Sequence, residues 1–88
     1  MAGYRVDIKP SAVKELDSMP KKDRPRLILR IRGLGDNPRP DGCLKLSSRD
    51  DYRLRQGDYR VVYSVDEHEK NVRILKIAHR KDIYRNLE

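Results

Sequence analysis

The chain has 88 residues, of which 36% are hydrophobic and 40% charged, with no Phe or Trp. That bounds it to one small domain, residues 1–88, whose thin aliphatic core takes its bulk from five tyrosines. The net charge of +7 favours a polyanionic partner, nucleic acid ahead of an anionic membrane surface, and the single Cys43 excludes an intrachain disulfide scaffold.

No apolar run approaches the roughly 18 residues of a spanning helix, and the N-terminus lacks an apolar signal core. The expectation is a soluble, cytoplasmic protein without a membrane partner. Tyr4-Arg5-Val6-Asp7-Ile8 alternates apolar and polar residues as a short half-buried strand does. Pro10 and Ser11 then open a helix of about two turns, with Val13 and Leu16 on its inner face and Met19 beyond, until Pro20 ends it. Asp23 is placed to cap a second helix, with Pro25 in its first turn. Leu27, Ile28, Ile31 and Leu34 recur at helical spacing there, and Arg24, Arg26, Arg30 and Arg32 lie largely off that stripe. Gly33 and Gly35 are candidate terminators, and residues 37–42 are a loop by their turn chemistry.

Leu44-Lys45-Leu46 begins the next strand region, and a polar stretch leads to Tyr52-Arg53-Leu54-Arg55-Gln56-Gly57-Asp58-Tyr59-Arg60-Val61-Val62-Tyr63. Gly57-Asp58 suits a two-residue hairpin loop, whose turn types need Gly or Asp/Asn at positive φ. That loop pairs Gln56 with Tyr59, Arg55 with Arg60, Leu54 with Val61, Arg53 with Val62 and Tyr52 with Tyr63. One face then collects Tyr52, Leu54, Val61 and Tyr63 for the core, and the other presents Arg53, Arg55 and Arg60 to solvent. A three-residue loop would scramble this separation. The register sets Arg55 directly against Arg60, at a cost of a few tenths to about 1 kcal/mol that a bound anion would offset. A hydrophilic turn at residues 66–71 precedes Val72-Arg73-Ile74-Leu75-Lys76-Ile77-Ala78, apolar on both faces and therefore interior to the sheet. The tail from His79 reads as a final helical turn or two. Strand, helix pair, then strands make an α+β domain: a two-helix hairpin packed on a twisted, mostly antiparallel sheet of four to five strands, with a short C-terminal helix.

The combination of Leu44-Lys45-Leu46, Tyr52-Arg53-Leu54-Arg55, Gly57-Asp58-Tyr59-Arg60-Val61-Val62-Tyr63 and His79-Arg80-Lys81-Asp82-Ile83-Tyr84 resembles the RelE/ParE toxin superfamily over essentially the whole chain. The resemblance implies a RelE-type messenger-RNA interferase toxin. Such a toxin cuts mRNA in the ribosomal A site to inhibit translation, and an acidic RelB-like antitoxin restrains it in a hetero-oligomer. It implies cleavage without metal or cofactor, in which the 2′-hydroxyl is deprotonated, the crowded phosphate stabilised and the 5′-oxygen protonated. The ends would be a 2′,3′-cyclic phosphate and a 5′-hydroxyl. No His/Cys spacing or carboxylate cluster points to a metal site.

By the same resemblance, Arg55 and Arg60 clamp the scissile phosphate, Arg53 extends that surface, and Arg80 neutralises developing charge or serves the leaving group. Tyr84 stacks on a base or transfers a proton, and Lys45 and Lys81 add RNA contacts. Several RelE-type proteins carry lysines where this chain has Arg53 and Arg55. Arginine stays protonated at any relevant pH, so proton transfer falls to His79, with an unperturbed pKa near 6.5, and to Tyr84. The alternatives are the ParE branch, which poisons DNA gyrase without cutting RNA, and a non-catalytic basic RNA-binding module. Loss of the arginine set would favour ParE.

Overall fold

The computed structural model describes residues 3–46 and 51–82. Seven elements follow in the order β1 (Arg5–Ile8), α1 (Pro10–Ser18), α2 (Arg24–Gly33), β2 (Leu44–Lys45), β3 (Asp51–Gln56), β4 (Tyr59–Asp66) and β5 (Asn71–His79). The strands form one sheet in the order β1-β5-β4-β3-β2. Strands β2 to β5 are an antiparallel meander, and β1 joins β5 in parallel. The expected α+β layering holds, with two helices on one face of a five-stranded mixed sheet. The expected C-terminal helix falls largely outside the described residues, which reach only a turn at residues 80–82.

Pro10 occupies the first turn of α1, where its missing N–H is harmless, and Met19 leaves the helix in extended backbone ahead of Pro20. The inner face of α1 is not the one the pattern suggested. Ala12 is fully buried and Leu16 and Met19 pack into the core, whereas Val13 is exposed. The small Ala12 lets the helix approach β5 closely. Asp23 takes the N-cap position of α2 without a side-chain capping bond. Leu27, Ile31 and Leu34 are buried as their spacing requires. Gly35 is dictated by crowding, since a Cβ there would stand 3.0 Å from the Tyr4 carbonyl oxygen as the chain passes β1.

The β3–β4 hairpin has the register read from the sequence, from Gln56 opposite Tyr59 to Tyr52 opposite Tyr63. Gly57 supplies a φ of 57° at the turn. Leu54, Val61 and Tyr63 meet Leu27, Ile31 and Leu34 in the core. Tyr52 and Tyr63 stack with ring centroids 5.7 Å apart. The Tyr63 hydroxyl donates to the Pro38 carbonyl at 2.7 Å, and Arg39 Nε donates to the Tyr52 hydroxyl at 2.9 Å. This tyrosine pair therefore ties the loop between α2 and β2 to the sheet. Burial is the main cause holding the Tyr63 hydroxyl well above the usual tyrosine pKa.

β5 carries one extra residue. Tyr63 pairs with Ile74, but Val62 pairs with Lys76, so Leu75 is bulged out of register. The bulge reverses the facing of every residue after it. Ile77 therefore joins Val72 and Ile74 on the core face. Beyond the bulge, the Ile77 N–H is taken up by a side chain, donating to Glu15 Oε1 of α1 at 2.8 Å. Glu15 Oε2 also meets Lys76 Nζ at 2.9 Å.

Candidate functional site

Alternation along β3 and β4 places Arg53, Arg55 and Arg60 on the sheet face away from the helices. Arg55 projects into solvent, but Arg60 does not. Only 8% of the Arg60 surface is accessible, which corrects the reading of Arg60 as part of an exposed face. Its Nη1 donates to the Gly57 and Tyr59 carbonyl oxygens, both at 3.0 Å, folding the guanidinium back onto the hairpin turn. The charge is thus fixed in place before any ligand arrives. Burial lowers the Arg60 pKa, and the neighbouring charges of Arg55, Arg53 and Arg80 lower it further, with Asp58 opposing them.

Arg80 follows the end of β5. Its backbone N–H donates to the Asp58 carbonyl at 2.7 Å, and its Nε lies 3.9 Å from Asp58 Oδ1. The hairpin turn therefore holds the Arg80 backbone, while the Arg80 side chain remains mostly exposed. Arg53, Arg55 and Arg60 line a groove of about 350 Å³ with Gly42, Leu44 and Arg30. Among the described residues, no carboxylate lines it. Leu44 pairs with Arg53 and presents an exposed apolar side chain on the same face. Gly42, at a φ of 90°, brings backbone to the rim.

Two predicted members stand elsewhere. Lys45 pairs with Tyr52, so it lies on the helix side of the sheet edge, away from Arg53. His79 pairs with Tyr59, and their rings meet edge to face at 5.5 Å. That puts the imidazole on the face opposite the arginines, correcting the expectation that it shares their site. The bulge at Leu75 is the cause, because an unbroken ladder would turn His79 toward Arg60. His79 Nδ1 accepts the Lys81 backbone N–H at 3.2 Å, which leaves Nε2 to carry the proton of the neutral ring. Lys81 is exposed in the turn after β5. Tyr84 lies outside the described residues.

Sequence reasoning did not place Arg30 in the groove, which it reaches from α2; the pattern shows only that it lies largely off the apolar stripe of that helix. Its placement depends on how α2 packs against β3, a tertiary fact with no local signature. Among the described residues, no group of three or more His, Cys, Asp or Glu is placed to hold a metal ion. No helix among them is long and apolar enough to cross a membrane.

Comparison with known proteins agrees with this geometry. The family described as the ParE toxin of type II toxin–antitoxin system, parDE, matches residues 6–84. Toxin RelE of Mycobacterium tuberculosis (strain ATCC 25618 / H37Rv) is 34% identical over 84 residues, covering 93% of this chain and 87% of that protein. The archaeal RelE–RelB complex from Pyrococcus horikoshii OT3 contains a chain that is 38% identical, with a TM-score of 0.77 over 89% of this chain and 96% of that one. The toxin–antitoxin complex RelBE2 from Mycobacterium tuberculosis, 24% identical at a TM-score of 0.78 over 88% of this chain and 98% of that one, shares the fold. A chain that matches on these three counts, with its arginines gathered on one sheet face, belongs to the ParE toxin family of type II toxin–antitoxin systems and is a toxin of the RelE type.

Proposed function

We propose that this toxin is a metal-independent endoribonuclease that cuts messenger RNA on the ribosome and so inhibits translation. The observation that carries the reading is the groove itself: guanidinium groups from neighbouring strands converge where, among the described residues, no carboxylate lines the wall. In the proposed reaction the 2′-hydroxyl loses its proton to a base. The O2′–P bond forms, the P–O5′ bond breaks, and the 5′-oxygen takes up a proton. Charge grows on the non-bridging oxygens in between. Arg55 and the pre-set Arg60 are the groups we assign to that charge, since donors fixed before reaction need no reorganisation during it. Arg53 extends the grip along the RNA, and Arg80, held beside Asp58, serves the leaving-group oxygen.

Guanidiniums cannot take the 2′ proton. His79, turned toward Tyr59, is assigned a structural part instead. We assign the proton transfer to Tyr84, the remaining residue that the family resemblance offers for it. The partner in the resting state is an acidic antitoxin, whose charge would complement the basic face; the similar archaeal chain comes from a RelE–RelB complex.

The family match alone serves the gyrase-poison reading equally well. The arginine groove favours the nuclease. The deciding experiment is cleavage of a message on programmed ribosomes, followed by analysis of the new ends. The expected ends are a 2′,3′-cyclic phosphate and a 5′-hydroxyl. A 5′-phosphate, or no cleavage at all, would overturn the proposal.

A further inference from the structure

Among the described residues, the groove is lined by Arg30 from α2 and by Arg53, Arg55 and Arg60 from the hairpin. A phosphodiester brings a single negative charge. Arg55 and Arg60, directly opposed on adjacent strands, are placed to share one phosphate. Arg30 comes from another wall.

Its condition is unusual. The Arg30 Nε is shut off from solvent and has no hydrogen-bond partner among the described residues. A buried, unpaired N–H costs about 1–3 kcal/mol if nothing ever meets it. Arg30 also stands in the last turn of α2, where the helix dipole favours a cation and keeps it in place. Beside it, Leu44 offers exposed apolar surface, the kind of contact an unstacked base takes and a free inorganic anion does not.

We propose that Arg30 is a further RNA-binding residue of this site, holding the phosphodiester next to the scissile one while the intervening nucleotide lies over Leu44. The inference rests on the groove being an RNA phosphate site, but not on cleavage. Its ligand is single-stranded RNA at least one nucleotide longer than the scissile linkage. Arg30 thus sets which stretch of backbone is in place when Arg55 and Arg60 act.

The test is binding of a short single-stranded RNA with methylated 2′-hydroxyls, followed by fluorescence anisotropy over a series of salt concentrations. Full-length wild type, Arg30→Gln, Arg30→Lys and Arg55→Gln are compared. Arg30→Gln is expected to bind about ten- to a hundredfold more weakly, and its salt slope to fall by about 0.7, one phosphate contact on a single strand. Arg30→Lys should recover the slope but only part of the affinity, since it keeps charge without the planar fork. Thermal melting checks that each variant is folded. Wild-type affinity and slope in Arg30→Gln would overturn the inference and leave the groove reading standing. Weaker binding with an unchanged slope and no rescue by lysine would make Arg30 structural and also overturn it. Unchanged binding in Arg55→Gln, or none by wild type, would overturn the groove reading itself. Tight binding without ribosomal cleavage would sink only the nuclease.

Discussion

Arg55 and Arg60 face each other across the hairpin. Arg60 is buried against the carbonyls of Gly57 and Tyr59, whereas Arg55 projects into solvent opposite a like charge. Removing the Arg55 charge should therefore separate stability from activity. Arg55→Gln is expected to stabilise the domain by about 0.2–1 kcal/mol in urea unfolding, and to slow cleavage by about a hundredfold or more. A variant that is both less stable and fully active would contradict that division. Tyr63 supports a second prediction. Its folded pKa is raised, so its contribution is complete below the unfolded value near 10 and is lost as pH rises through the folded value. Stability should fall as pH climbs above about 10, and Tyr63→Phe should flatten that decline at the cost of the bond to Pro38. Equal alkaline slopes in both proteins would refute it. At this scale the sequence was informative where alternation decides the outcome. The arginine face, the tyrosine core positions and the opposed pair all follow from period two and a Gly-Asp turn. The burial of Arg60 does not, because it depends on a side chain curling back to carbonyls of its own turn.

Among the elements, the β5 bulge and α1 act together. β1 ends at Ile8, so β5 has an unpaired edge beyond Ile74, and Glu15 covers part of it by accepting the Ile77 N–H and meeting Lys76. Glu15→Ala is expected to destabilise the domain by about 1–3 kcal/mol, the cost of a half-buried N–H and ammonium losing their acceptor. Glu15→Gln, which keeps one acceptor oxygen, should fall between. Chemical unfolding of the three proteins checks the order, and an Ala variant as stable as wild type would refute it. The bulge had a trace in the sequence: the apolar positions Val72 and Ile74 are followed by Ile77, a change of phase within one strand. A strand apolar on both faces hides that change, so the sequence does not report which side of the sheet His79 takes. The turn of α1 toward Ala12 was hidden for a different reason. A methyl group gives almost no hydrophobic signal, yet it is what fits where a helix lies close to a strand.

At the scale of the whole molecule, one sheet separates two tasks. The helix side carries nearly all the core, and the opposite side carries a basic groove on a chain of net charge +7. Such a surface attracts RNA and acidic protein alike, by forces that salt weakens. The layering and the basic face were legible from element order and alternation. The side of the groove at Arg30 was not, since no local pattern reports how a helix packs against a sheet. The central claim is that the groove performs RNA cleavage during translation. Its most direct test is to map messenger-RNA 5′ ends after brief induction of the wild type and of Arg60→Ala, with antitoxin capture confirming that the variant is folded. The account predicts discrete, in-frame cuts within translated messages for the wild type and none for Arg60→Ala. Intact messages accompanied by broken DNA, or the same cuts from a folded Arg60→Ala, would contradict it.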